Sequence, residues 1–312
     1  MRAVWLKEFG GPRVLFAGDA PDPVPGVGQA LVEVVFAGIT FVETQFRASG
    51  QGPFAAELPM IPGNGVGGVV SAVGPGVDSE IVGMRVVTGT GGSGGYAQRV
   101  AVDAATLFEV PDGLGLDVAV ALLADGRTAT GLARAASIQP GERVLVEAAA
   151  GGVGGLLVQL AQAAGAEVIG VAGGARKVEH VLELGADFAV DYSEPEWAER
   201  IGAVDVVFDG VGGDVGAAAF GLLRSGGRMV MFGLASGTWT TIPDDVAERE
   251  VTVVRGIGSP ALFREFTTSA LADAAEGRLR PVIGQRFALE RAADAHAAIE
   301  SRETVGKTLL EV

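Results

Sequence analysis

Up to about residue 117 the chain alternates apolar and polar positions in short runs such as ALVEVVFAG and GYAQRVAVD, separated by PDPVPGVG, GPGVD and GTGGSGG. Short alternating runs between clusters of turn residues predict a compact β-rich domain. The pattern then changes. RVLVEA is followed by the helical period LLVQLAQAAG, then EVIGVA, a helix over 177–184, DFAVDY, a short helix, VDVVFDG, a helix through AAAFGLLRSGG, and RMVMFG. Such alternation predicts a parallel sheet wound with helices on both faces, an α/β architecture. Beyond VTVVRGI come a helix ending near Glu276, a strand around VIGQRFAL, the helix RAADAHAAIE and a terminal strand KTLLEV. That tail is expected to pack back on the first domain, giving an organisation of 1–120, 121–257 and 258–312. No fixed-period repeat suggests a solenoid.

The turn between RVLVEA and LLVQLAQA reads AAAGGVGG, that is Ala148-x-x-Gly151-x-x-Gly154. A strand before it and a helix after it are the context a dinucleotide-binding turn requires. The chain must reverse sharply while a pyrophosphate approaches its backbone, and the helix N-terminus offers N–H groups and partial positive charge to that anion. Gly151, Gly152, Val153 and Gly154 are therefore candidate cofactor contacts.

About twenty residues further on, an enzyme using NAD places Asp or Glu against the ribose 2′-hydroxyl. Here the sequence is VAGGARK. An acid would repel a 2′-phosphate, whereas Arg176 and Lys177 attract one and Gly173 and Gly174 leave room for it. Lysine occurs only at Lys7, Lys177 and Lys307, so its presence here favours a role. The expected cofactor is NADPH.

The 312 residues exceed a single hydrophobic core, and 48% apolar residues with a mean hydropathy of +0.38 exclude a disordered chain. The stretch from Ala148 to Ala166 carries no charged side chain, yet its glycines, Gln159 and Gln162, and the flanking Glu147 and Glu167 make it a buried strand, turn and helix and not a membrane span. The N-terminal MRAVWLKEFGGP lacks an apolar signal core with a cleavage site, so a cytoplasmic location is expected. A net charge of −15, spread along the chain, disfavours nucleic acid as a partner. With no cysteine and only His180 and His296, neither a disulfide framework nor a Cys/His zinc site can be assembled, and no metal is expected.

Several segments together resemble the zinc-independent quinone oxidoreductase, zeta-crystallin-like branch of the medium-chain dehydrogenase/reductase superfamily. They are KEFGGPRVL, LPMIPGNGVGGVVSAVGPGV, GGYAQ, LLADGRTA, AAAGGVGG, FDGVGG and GGRMVMFGLASG, and they span nearly the whole chain. The resemblance implies a GroES-like catalytic domain, a Rossmann cofactor domain, a cleft between them and a homodimer. By the same resemblance, Gly173, Lys177 and Tyr192 match a 2′-phosphate pocket, while Thr128, Phe232, Gly233 and Leu234 match groups lining the nicotinamide end. From pattern alone, Tyr192 fits a strand cap and Phe232 fits a core position equally well.

One segment departs from that family. Relatives often show NFxDxY, with the Asn near the nicotinamide and the Tyr near substrate, whereas this chain reads TFVETQF. Thr40 and Gln45 thus occupy the candidate catalytic positions. Thr40 can donate and accept a hydrogen bond, with a shorter reach than Asn. The implied activity is NADPH-dependent reduction of a quinone without metal. Two other readings stand beside it: reduction of an enoyl or enal C=C bond, and binding of NADPH without catalysis.

Overall fold

The computed structural model describes residues 1–312 except Ala56 and Gly258, and the side chain of Pro260. Its first stretch contains β1 (Arg2–Leu6), β2 (Leu15–Asp19), β3 (Gln29–Ile39), α1 (Phe41–Ser49), β4 (Gly65–Val73), β5 (Arg85–Gly89), β6 (Arg99–Asp103) and β7 (Phe108–Glu109). Strands β1 and β2 form an antiparallel ribbon, and β3 pairs antiparallel with both β4 and β6. Alternating burial along β3 follows from the period of two, with Val32 and Val34 inside and Glu33 and Val35 outside. Val4, Leu6, Val66, Val86 and Tyr96 join them in one core.

Helix α2 (Leu116–Ala136) leads into β8 (Arg143–Glu147), α3 (Gly152–Ala163), β9 (Glu167–Ala172), α4 (Ala175–Glu183), β10 (Phe188–Asp191), β11 (Val204–Asp209), α5 (Gly213–Gly221), β12 (Leu223–Met231), β13 (Thr252–Arg255) and α6 (Phe263–Ala275). Strands β8 to β13 form a parallel sheet in the order β10-β9-β8-β11-β12-β13. Central strands β8, β9 and β11 are buried at nearly every position, as expected where helices cover both faces. The order reverses between β8 and β11, the kind of switch point beside which open α/β sheets bind ligands.

In one place the local pattern misleads. The helix expected through AAAFGLLRSGG stops at Gly221, and Leu223 already pairs with Val204. A shift of register between Val204 and Val206 then carries the pairing on to Arg228, with Gly226 in a left-handed conformation at φ 77° within the irregularity. Leu222 and Leu223 satisfy the helical period as well as the strand, so periodicity alone assigns them to the helix.

The chain closes with β14 (Ile283–Ala288), α7 (Ala292–Glu300) and β15 (Lys307–Glu311). Strand β15 lies between β14 and β3, with Thr308 opposite Ile39, so the C-terminus completes the sheet begun at the N-terminus. Two compact units result: Met1–Ala124 with Leu271–Val312, and Asp125–Ala270. The first is a GroES-like sheet domain and the second a Rossmann domain. None of the helices, among the described residues, is long and apolar enough to cross a membrane.

Candidate functional site

In the second unit, most of the candidate cofactor residues lie just beyond the C-terminal ends of neighbouring parallel strands. The turn after β8 carries Gly151, Gly152, Val153 and Gly154. The first three are partly exposed, and Gly154 is buried. A Cβ on Gly154 would lie 2.3 Å from the Ala148 carbonyl oxygen, so the helix can approach the strand only with glycine there. Ala148 itself holds a left-handed conformation at φ 48°, which costs a non-glycine residue about 1 kcal/mol. Asp125 on α2 stands against this turn, its carboxylate where a Gly152 side chain would be. Thr128, three residues further along α2, is partly exposed.

After β9, Gly173 packs against the Tyr192 ring, whose nearest carbon is 3.3 Å from the position of a Gly173 Cβ. The pattern thus brings Gly173 and Tyr192 together although they follow different strands. Helix α4 begins with Gly174 as its N-cap and has Arg176 and Lys177, but no acid, in its first turn. Cations at a helix N-terminus oppose the macrodipole, an arrangement that an anion bound there would offset. The Gly174 N–H donates to Asp191 Oδ1 at 2.9 Å. Burial pushes the Asp191 carboxyl up, but hydrogen bonds from Gly174 and Ser193 outweigh it and hold the group below the ordinary carboxylate value.

Beyond β12, Phe232, Gly233 and Leu234 are all partly exposed. The Phe232 and Gly233 N–H groups donate to the Asp209 carbonyl at 2.9 and 3.3 Å, and a Cβ on Gly233 would meet the Gly210 oxygen at 2.5 Å. Two acids that sequence reasoning did not single out organise this loop. Asp209 accepts from the Gly212 N–H at 2.8 Å and from the Thr240 hydroxyl at 2.6 Å, and Glu147 Oε2 accepts from the Val211 N–H at 3.0 Å. Both are fully buried at the strand ends flanking the switch point. Burial, followed by the adjacent Asp209 charge, pushes the Glu147 carboxyl well above its ordinary value.

In the first unit, Thr40 is the N-cap of α1 and forms a capping box with Glu43. The Thr40 N–H and hydroxyl both donate to Glu43 Oε2 at 2.7 Å, and the Asn64 N–H donates to Oε1 at 2.9 Å. Thr40 is partly exposed and Glu43 is buried behind it. Burial pushes the Glu43 carboxyl up, more than hydrogen bonds from Thr40 and Asn64 and the charge of Lys307 hold it down. Behind Glu43 lies Tyr96, whose hydroxyl is 3.0 Å from His296 Nε2. Burial and then the Glu43 charge push the Tyr96 phenol well above its usual value. His296 falls to about 3 through burial and then the Arg47 charge, and is neutral. Arg47 is itself buried, donating to the Gly10 carbonyl and pairing with Glu300. Gln45 is partly exposed on α1, but five positions at about 100° each turn it to a different side of the helix from Thr40. The two candidate catalytic residues are thus not brought to one face. Among the described residues no group of three His, Asp or Glu side chains could hold a metal ion.

Residues 26–112 match the family model "Alcohol dehydrogenase GroES-like domain", and residues 152–275 match "Zinc-binding dehydrogenase". A probable quinone oxidoreductase of Schizosaccharomyces pombe is 36% identical over 98% of this chain and 96% of its own length. The 2-haloacrylate reductase of a Burkholderia species is 33% identical over 99% and 98%. The crystal structure of Escherichia coli quinone oxidoreductase complexed with NADPH superposes with a TM-score of 0.91 at 31% identity, each chain covered completely. With two-domain architecture, sheet order and full-length similarity in agreement, the chain belongs to the quinone oxidoreductase branch of the medium-chain dehydrogenase/reductase superfamily.

Proposed function

We propose that this protein is an NADPH-dependent oxidoreductase that reduces quinones without a metal. The observation that carries the cofactor is the start of α4, where Arg176 and Lys177 occupy a first turn free of acids and Gly173 lies against Tyr192. The Escherichia coli relative is itself an NADPH complex. In this reading Gly151, Gly152, Val153 and Gly154 take the pyrophosphate, Gly173, Arg176, Lys177 and Tyr192 the 2′-phosphate, and Thr128, Phe232, Gly233 and Leu234 the nicotinamide end. Bound NADPH supplies a hydride. The chain's own share is to orient the ring, exclude water and place Thr40 near the oxygen that gains charge. A homodimer and a zinc-free site belong to the same proposal.

A second reading is favoured by the Burkholderia relative, named for reduction of an unsaturated acid, and by the departure at TFVETQF. In it the acceptor is an enoyl or enal C=C bond. The deciding experiment follows NADPH oxidation by absorbance with 1,2-naphthoquinone and trans-2-hexenal in parallel, and NADH as control. Turnover of the quinone with NADPH and little with NADH is expected. Turnover of hexenal alone selects the C=C reading, and binding of NADPH without turnover of either acceptor overturns both.

A further inference from the structure

Thr40 has one hydroxyl hydrogen, and the structure commits it. With Glu43 ionised, that hydrogen points at Glu43 Oε2, 2.7 Å away, and Thr40 can only accept from a substrate. A proton on Oε2 reverses the bond: the carboxyl donates to Thr40 Oγ1, and the Thr40 hydrogen is released towards the exposed side. The second Oε2 lone pair still accepts from the Thr40 N–H, and Oε1 still accepts from Asn64. The cap survives in either state, so its geometry does not require a carboxylate. Burial already favours the protonated form.

We propose that Glu43 supplies, through the Thr40 hydroxyl, the proton that the reduced substrate takes up. This rests on the reading that Thr40 faces substrate. When hydride adds to the β-carbon of an enal, the C=C π bond breaks and its charge settles on the carbonyl oxygen as an enolate. The Thr40 O–H bond breaks to protonate the enolate, the Glu43 O–H proton passes to Thr40 Oγ1, and Glu43 is left as a carboxylate. An ortho-quinone leaves the equivalent charge on its own oxygen. The carboxylate so formed is met by the Thr40 and Asn64 N–H groups and the Lys307 charge; Tyr96 faces it from behind, with Arg47 and neutral His296 beyond. Its next proton comes from solvent by the same hydroxyl. Glu43 thus acts through Thr40 and never touches the substrate.

Single-turnover reduction of hexenal and naphthoquinone by the full chain tests this across pH. The wild-type rate is expected to be highest with Glu43 protonated and to fall about tenfold per pH unit above a value higher than the ordinary carboxylate range. Glu43→Gln and Thr40→Val should each slow reduction by about 100-fold or more and abolish that fall, with the NADPH Kd unchanged within about twofold. Thr40→Ser should restore rate and profile, and the double variant should be no slower than the slower single one. Thr40→Val leaves Glu43 in place, so the test holds even if Glu43→Gln unfolds. Retention of the wild-type pH profile in Thr40→Val, or multiplied losses in the double variant, overturns the proposal. Infrared difference spectra of wild type against Glu43→Gln near pH 5 give an independent answer without turnover. A protonated carboxyl that shifts in Thr40→Val is expected, and its absence overturns the proposal even where neither acceptor is reduced.

Discussion

Arg176 and Lys177 are the residues on which cofactor choice turns. Each is expected to form a charge-assisted contact with the 2′-phosphate, an interaction of roughly 1.5 to 3 kcal/mol. Replacing either by Ala should therefore raise the NADPH Kd about 10- to 100-fold and leave the NADH Kd nearly unchanged, as measured by quenching of protein fluorescence. Equal loss for both dinucleotides would assign the two side chains to the fold of α4 instead. These cations were legible because they stand within one turn of a strand whose end the apolar pattern marks. Thr40 was legible as a position, but its commitment to Glu43 was not. The Thr-x-x-Glu spacing in TFVETQF is a capping signature, which marks a helix start but not the burial that commits the hydroxyl to Glu43.

Among the elements, the parallel strands were readable because apolar runs buried on both faces leave no polar positions to confuse the pattern. Two helices escaped. The nine residues of α1 bury Glu43 and Arg47 alongside Phe46, so its inner face does not read as apolar. Helix α2 runs through the point where the sequence pattern changes, and so reads as a boundary. The pairing of Glu147 with Asp209 was beyond sequence reasoning, since it depends on β8 and β11 being neighbours in the sheet although β9 and β10 separate them in sequence. It carries a pH dependence. The folded pKa of Glu147 is raised, so between the ordinary glutamate value of 4.5 and the folded one the native state keeps a proton that the unfolded chain has lost. Its stabilising contribution is complete below that window and declines as pH rises through it, by at most about 1.4 kcal/mol per pH unit. Thermal unfolding followed by circular dichroism should show the wild type losing stability relative to Glu147→Gln from pH 5 upward. Parallel curves for the two proteins would mean that Glu147 does not titrate with folding.

Across the whole molecule, the first unit is assembled from both ends of the chain and the second from an uninterrupted stretch. Deleting residues 307–312 removes β15, with the buried side chains of Leu309 and Leu310, and leaves β14 and the end of β3 without their shared neighbour. Losing even one such leucine costs about 2 to 5 kcal/mol. The truncated protein is expected to be cut readily by protease within residues 1–124 while 125–270 stays protected and still binds NADPH. Uniform proteolysis would show that the second unit depends on the first. The return of the C-terminal tail was foreshadowed by the pattern of strand, helix and strand after Glu276, but no local signal names β3 as the partner of β15.

That pairing also sets a timetable for biosynthesis. Thr308 lies opposite Ile39, the residue before Thr40, and Lys307 faces Glu43. The Rossmann residues 125–270 leave the ribosome as a finished set, whereas the sheet that carries Thr40 waits for residues 307–311. Domains generally fold as units while the chain is still being made. A nascent chain, or one ended early by a stop codon, would accordingly capture the dinucleotide before it had anything to reduce with it, and would sequester cofactor as an inert binding protein.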